Sequence, residues 1–391
     1  MASRIKGLKR MPPPIPGWYN LIFIIVMEKP QSLFLFVLLL VVHCPCLLVI
    51  SSPSNFTDQF ALLAIKSKLT FDPTNTVLGG NWTNKTSFCN WIGVSCSRRR
   101  PRVTALDLFY MGLQGTISPH IGNLSFLVSL NLQNNSFTGF LPHEISRLRR
   151  LRILILQDNQ LQGNIPPTLH HCQKLEIILH YWPNIQKIRL SFNQLSGHLP
   201  SAIDECRKLV HLRLADNRFV GSIPETIGSL QNLEILALSF NSLTGSIPPT
   251  IGNLSSLIEL KISSSNITGS IPRDLGHLSN IRSLEFSSNG LTGAIPQEIF
   301  NISSLQELHA QNNSLSGTFP SIAGVWLPNL QILDLGFNQI TGNIPSYFSN
   351  FTKLSLVQMN TNLLYGSIPL NLGSLKHLKI ISVAEILLSF P

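Results

Sequence analysis

Leu233-Glu234-Ile235-Leu236-Ala237-Leu238-Ser239-Phe240-Asn241-Ser242-Leu243-Thr244-Gly245-Ser246-Ile247-Pro248 is the stretch that decides the fold. Leu236 and Leu238 alternate with Ala237 between them, the period-2 pattern of a short strand with one buried face. Asn241 follows where the chain leaves that strand and its backbone polar groups need partners. A carboxamide both donates and accepts, so it can supply them. Gly245 allows a tight or left-handed turn that a Cβ would oppose. Pro248 lacks an amide donor and holds the chain extended ahead of a short helical return.

The same phrase recurs along the chain. Its central apolar position is Leu106, Leu130, Leu154, Ile188, Leu212, Leu236, Leu260, Leu284, Leu308, Leu333, Val357 and Ile381, at a period of 24 residues. Only two gaps differ, 34 residues from Leu154 to Ile188 and 25 from Leu308 to Leu333. The asparagine recurs at 135, 159, 193, 217, 241, 289, 313, 338 and 362 and lapses at Met111, Ser265 and Ile386. The glycine is present in each unit from Gly115 to Gly366, and the proline step fails only at Ile117-Ser118. This is the leucine-rich repeat pattern, whose period falls at 20–29 residues. A stack of repeats grows in one dimension, so 391 residues need not divide into two or three globular cores. Charged residues are 12% of the chain and apolar residues 44%, with a mean hydropathy of +0.21, which excludes an intrinsically disordered chain.

The L-T-G-x-I-P segment resembles the plant-specific class of leucine-rich repeat found in receptor kinases, receptor-like proteins and polygalacturonase inhibitors, over roughly residues 53–385. The resemblance implies an α/β repeat solenoid, a right-handed superhelical horseshoe with a parallel β-sheet on its concave face. Ahead of the first repeat, 58–69 reads as an amphipathic helix opened by Thr57 and Asp58. It is followed by Trp82, Cys89, Trp91, Gly93, Val94 and Cys96 in a W-x6-C-x-W-x-G-V-x-C arrangement. A solenoid end exposes an apolar edge that needs covering. This segment resembles the N-terminal cap of plant receptor kinases, nearest the flagellin and elongation-factor receptor subgroup. That likeness implies a Cys89–Cys96 disulfide, hence an oxidising compartment.

The expected organisation is an N-terminal extension at 1–26, a signal peptide or signal anchor at 27–52, the cap at 53–102, the repeats at 103–385 and an off-pattern tail at 386–391. Met27-Glu28-Lys29-Pro30 opens a signal peptide of ordinary length, whereas a start at Met1 suits an uncleaved signal anchor. The repeat pattern fails after Val383, and the expectation is a receptor product that stops short of its membrane span and kinase. Around the irregular 172–187 stretch, 180–186 echoes 324–331, as if two units had fused; a loop insertion on one coil is the alternative.

Ten N-x-[ST] sequons agree with secretion: Asn55, Asn81, Asn84, Asn123, Asn134, Asn253, Asn266, Asn301, Asn312 and Asn350. Asn134 and Asn312 fall at the strand exit, where glycan would obstruct one edge of the concave face. Cys172 and Cys206 hold equivalent positions in neighbouring units and either pair or remain buried thiols. His170-His171-Cys172 lacks a second ligand cluster, so no metal site is expected. No cofactor is expected either. The chain carries 29 Lys+Arg against 19 Asp+Glu, a net charge of +10, with basic runs at 98–102 and 147–152. Solvated surface accounts for such runs; attraction to acidic cell-wall polysaccharide or anionic lipid is the sharper reading. Nucleic acid is excluded as a partner by secretion and by the want of interleaved aromatics.

Catalytic signatures are missing: there is no G-x-S-x-G, HRD, DFG, V-A-I-K or Walker element. The remaining chemistry is recognition of an extracellular peptide or protein, with a co-receptor as a further partner. Residues beside the buried strand leucines point into the concavity, and the charged ones define the candidate ligand face. It runs from cationic (Lys187, Arg189, His211, Arg213, with Asp216) through mixed (Glu259, Lys261) to acidic (Glu285, Glu307, His309, Asp334). Such polarity suits an extended peptide lying across several coils. Phe192, Phe240 and Phe337 are expected to stack within the scaffold. The favoured function is the ligand-sensing ectodomain of a plant receptor kinase of immunity or development, at the plasma membrane or in the apoplast. A secreted polygalacturonase inhibitor and a receptor-like protein without kinase are the rivals.

Overall fold

The computed structural model describes residues 55–70, 80–165, 183–320, 326–383 and 387–388. Each L-x-L phrase forms a short strand whose central residue is buried, as in Lys187–Arg189, His211–Arg213 and Ile235–Ala237, except in the last, Ile380–Ser382, where Ile381 is exposed. Successive strands pair in parallel and in register: Leu212 faces Ile188 on one side and Leu236 on the other. The result is a sheet of thirteen strands. Its first strand, Val94–Cys96, is antiparallel to Val103–Asp107 and belongs to the cap.

The asparagines bind coil to coil. Asn217 Nδ2 donates to the carbonyls of Leu214 and Ala215 in its own coil at 3.1 Å and of Leu190 in the preceding one at 3.0 Å. Its Oδ1 accepts from the amide of Leu195 at 3.0 Å. Asn159, Asn193, Asn241, Asn313, Asn338 and Asn362 repeat this set. Each carboxamide thus satisfies buried backbone groups of two coils at once.

Past the asparagine, the L-x-G segments form a second parallel ladder, where the sequence alone suggested a turn. It runs as six strands from Gln114–Thr116 to Ser242–Leu243, with Leu69–Thr70 of the cap added antiparallel at its start, and then six beginning at Thr268–Ser270. The break falls at the coil where Ser265 replaces the asparagine, and Ser265 Oγ is buried with no hydrogen-bond partner. A hydroxyl is too short to reach two coils, so the side-chain bridge lapses there, while the amides of Asn266 and Thr268 still donate to the carbonyls of Leu243 (2.8 Å) and Gly245 (2.7 Å). The glycines of this segment sit at positive φ; at Gly221 (φ 77°) a Cβ would also stand 2.4 Å from the His198 ring.

Among the described residues the return after the proline is a five-residue 3₁₀-helix, for example Glu225–Ser229 after Pro224. Tight coil-to-coil approach makes Gly228 necessary, since a Cβ would meet the Thr250 carbonyl oxygen at 2.3 Å. Where proline is missing, Ser118 caps the helix instead, its Oγ accepting from the His120 amide. The strands on either side of the 34-residue gap are direct neighbours: Ile153–Ile155 pairs with Lys187–Arg189 and Gln160–Asn164 with Gln194–His198.

The α-helix Asn55–Lys66 packs on the first coil. Asp58, fully buried, receives both Arg102 Nε (2.9 Å) and Nη2 (3.0 Å) and the Val103 amide (2.8 Å). Cys89 and Cys96 are joined in a disulfide, and Trp82 and Trp91 stack at 5.4 Å beneath it. The expectations for residues 1–54, for His170, His171 and Cys172, for Tyr181 and Trp182, and for Ile386 and 389–391 concern positions outside the described residues.

Two substitutions test the asparagine rule by urea unfolding of the secreted chain. Asn217→Ala, which strips three carbonyls and one amide, should cost about 3 kcal/mol, and Ser265→Asn should gain about 1 kcal/mol. A gain no larger than that of Ser265→Ala would contradict the rule. Separately, Asp58→Ala leaves Arg102 unpaired in the interior and should cost about 3–5 kcal/mol.

Candidate recognition face

Two residues of each repeat strand flank its centre on the open side of the long sheet, most of them at least partly exposed. The strand register aligns them into two rows across the coils. One row reads Ile153, Lys187, His211, Ile235, Glu259, Ser283, Glu307; the other reads Ile155, Arg189, Arg213, Ala237, Lys261, Glu285, His309, Asp334. The residues expected to form a ligand face therefore share one surface, except Asp216. That residue lies past the strand, at φ 55°, in the left-handed conformation.

The two ends of the face differ in how their charges are met. Lys261 Nζ contacts Glu285 Oε1 at 2.6 Å. Glu307 accepts from Ser283 Oγ at 3.2 Å and stands 3.9 Å from His309 Nε2. Asp334 is 8% exposed and accepts from the Gly336 amide at 3.3 Å. Burial raises its carboxyl above the ordinary value, partly offset by that amide and by His309. The acidic end is thus largely answered within the protein, and Asp334 is nearly covered rather than displayed.

The cationic end is only partly answered. Arg189 and Arg213 oppose each other in register, and like charges so placed repel. The Nε atoms of both are buried without a hydrogen-bond partner. Arg189 is lowered from its ordinary pKa by burial and then by Arg213. Arg213 Nη2 reaches Glu259 Oε2 at 3.6 Å, and Arg189 Nη2 lies 3.4 Å from His211 Nδ1. Neither Lys187 nor Arg189 forms an ion pair among the described residues. His211 is held below its ordinary value by burial first, then by Lys187, Arg189 and Arg213, with Glu234 opposing at 3.6 Å.

Along the edge of the face runs a third row, the residue before each asparagine position. Tyr110, Phe192, Asp216, Phe240 and Phe337 all have φ between 53° and 56°. Phe192, Phe240 and Phe337 are 53%, 56% and 54% exposed, which overturns the expectation that they stack inside the scaffold. The left-handed backbone that lets the next residue, asparagine, turn inward swings the preceding side chain outward. Asn134 and Asn312 occupy this row too and are exposed. Asn84, Asn123, Asn253, Asn266, Asn301 and Asn350 are exposed elsewhere, and Asn81 is half-buried, its Oδ1 accepting from the Ile92 amide. The side chain of Asn55 lies outside the described residues. Cys206 is a buried free thiol whose pKa burial pushes up to about 12. Among the described residues no group of His, Cys, Asp or Glu is placed to hold a metal ion, and no helix is long and apolar enough to cross a membrane.

A depressed imidazole binds fewer protons folded than unfolded. The stability His211 contributes is therefore whole above its unfolded value of 6.5 and is lost as pH falls through the lower folded value. Thermal unfolding between pH 7.5 and about 5 should show a smaller acid loss for His211→Gln than for the native chain. Equal losses would place the sensitivity in other groups.

Comparison with known proteins agrees with this architecture. Residues 57–97 match the leucine rich repeat N-terminal domain. Leucine rich repeat models match residues 231–291 and also 126–148, 150–172, 184–206, 208–230, 304–325 and 329–351. A relative is the LRR receptor-like serine/threonine-protein kinase EFR of Arabidopsis thaliana, 48% identical over 105 residues, which are 27% of this chain and 10% of that protein. The matched region thus spans about a tenth of the length of that relative. Among solved structures, the plant peptide hormone receptor RGFR1 in complex with RGF2 superposes with a TM-score of 0.66 at 31% identity, covering 77% of this chain and 53% of that one. The Arabidopsis receptor kinase HAESA, in complex with the peptide hormone IDA and the co-receptor SERK1, gives 0.67 at 29%, covering 85% and 58%. The chain belongs to the leucine-rich repeat family, with repeats and an N-terminal cap like those of plant receptor kinases.

Proposed function

We propose that the chain recognises an extracellular peptide or protein on its strand face, as the ligand-sensing part of a receptor-kinase type protein in plant immune or developmental signalling. The observation that carries this reading is the cluster of Lys187, Arg189, His211 and Arg213. Two guanidinium groups face each other there without an acceptor at either Nε. A protein gains nothing in stability from holding like charges in register on a half-buried sheet. An incoming carboxylate would relieve that repulsion and contribute a charge-assisted contact.

The rest of the face orients the ligand. Neighbouring strands lie ~4.8 Å apart and an extended chain advances ~3.3 Å per residue, so a peptide crossing the coils meets a new pair of side chains about every one to two residues. An acidic residue set on Arg189 and Arg213 leaves its flanks near Phe192 and Phe240. Glu259, Glu285 and Glu307 lie further along the same rows and disfavour a second acidic residue there. The peptide-bound neighbours support this mode of use. A co-receptor, a membrane location and a linked kinase activity belong to the same proposal, on the analogy of those relatives.

Selection of a random linear peptide library on the secreted chain tests the reading and requires no identified ligand. The native chain should enrich peptides carrying one Asp or Glu beside an apolar residue. The triple variant Lys187→Glu, Arg189→Glu, Arg213→Glu should enrich basic peptides instead. The same preference from both proteins would contradict it.

A further inference from the structure

Basic runs that are distant in sequence converge on one flank of the solenoid. Arg98, Arg99 and Arg100 precede the strand Val103–Asp107; Arg149, Arg150 and Arg152 precede Ile153–Ile155; Arg207 and Lys208 precede His211–Arg213. Because these strands are parallel, residues that precede them share the same end of the sheet. Direct contacts tie the runs together. Arg102 and Arg150 lie over the Phe126 ring, at 4.2 Å and 3.9 Å from its centroid. Lys208 Nζ donates to Asn184 Oδ1 at 2.8 Å, and Asn184 Nδ2 donates to the Arg149 carbonyl.

All eight residues of the three runs are exposed. None forms an ion pair among the described residues, although Asp204 and Glu205 lie just ahead of Arg207. Most of the patch also lies in a stretch free of sequons, since none falls between Asn134 and Asn253. Glycan therefore does not cover the coils that carry Arg149 to Lys208.

We propose that this flank binds a linear polysaccharide bearing repeated carboxylates, at a site separate from the strand face. The patch extends along the solenoid axis over five coils, about 20 Å at sheet spacing, and so presents a row of charge instead of a single pocket. Repeated like charges on one axis fit a polymer with a regular anionic repeat. A bilayer surface fits less well: among the described residues the one aromatic in the patch, Phe126, is held between two guanidiniums and is not free to insert.

The probe is immobilised, de-esterified polygalacturonate, with the secreted chain passed over it at rising salt. The native chain should be retained at low ionic strength and released as the Debye length shortens below ~8 Å. The variant Arg149→Gln, Arg150→Gln, Arg207→Gln, Lys208→Gln should bind at least ~10-fold more weakly, and Arg98→Gln, Arg99→Gln, Arg100→Gln should weaken binding in the same direction without touching Phe126. A control that removes as many charges away from this flank, Lys68→Gln, Lys85→Gln, Arg218→Gln, Arg273→Gln, should change binding less than ~2-fold. Equal weakening by the flank and control variants would reduce the effect to net charge and overturn the proposal. So would retention on phosphatidylserine vesicles with none on polygalacturonate.

Discussion

A carboxamide that serves two coils at once is the interaction on which the structure depends. A coil of 24 residues cannot bury its own apolar edge, so it persists only against neighbours. The strands supply one seam of backbone bonding. The asparagine side chains supply the next, at the bend where neither strand nor helix geometry can satisfy the main chain. The residue before each asparagine position sits at positive φ, even before Met111 and Ser265, so that bend belongs to the coil and not to the carboxamide. Where Ser265 replaces an asparagine, its Oγ finds no partner and the regular strand pairing of the second ladder is interrupted between Leu243 and Thr268, although main-chain bonds still cross there.

This rigid frame sets the electrostatics of the strand face. Side chains one coil apart are fixed opposite one another, so a favourable pair such as Lys261 and Glu285 is locked in, and so is an unfavourable one such as Arg189 and Arg213. The polarity visible in the sequence persists in position but changes in kind. Its acidic end is neutralised or covered from within, and its cationic end keeps unmet demand. The distinction matters because a paired charge steers a ligand weakly, whereas an unpaired and partly dehydrated one has interaction energy still to release.

Much of the fold was legible because periodicity is a one-dimensional signal. The leucine positions, the asparagines, the glycines and the Cys89–Cys96 pair all stand where the repeat grammar and its family likeness put them. The second ladder was not legible: L-x-G is too short and too polar to announce a strand, and its pairing comes from stacking. Phe240 was misread because an aromatic beside a buried leucine resembles core, and only the backbone angle reveals that it faces water. The fate of Asp334, and the meeting of Arg102 and Arg150 over Phe126, depend on neighbours 24 or more residues away in sequence. Spacing gives their coil, and three-dimensional contact gives their role.

Amide hydrogen exchange on the intact secreted chain tests the central claim most directly. The amides of Leu195, Phe219, Leu291, Leu315 and Ile340, each bonded to a ladder carboxamide, should exchange slowly and nearly together. The Leu243 amide, whose next coil offers Ser265 in place of asparagine, should exchange well ahead of them. Equal protection at Leu243 would show that the coils hold together without the asparagine bridge, and would contradict the account.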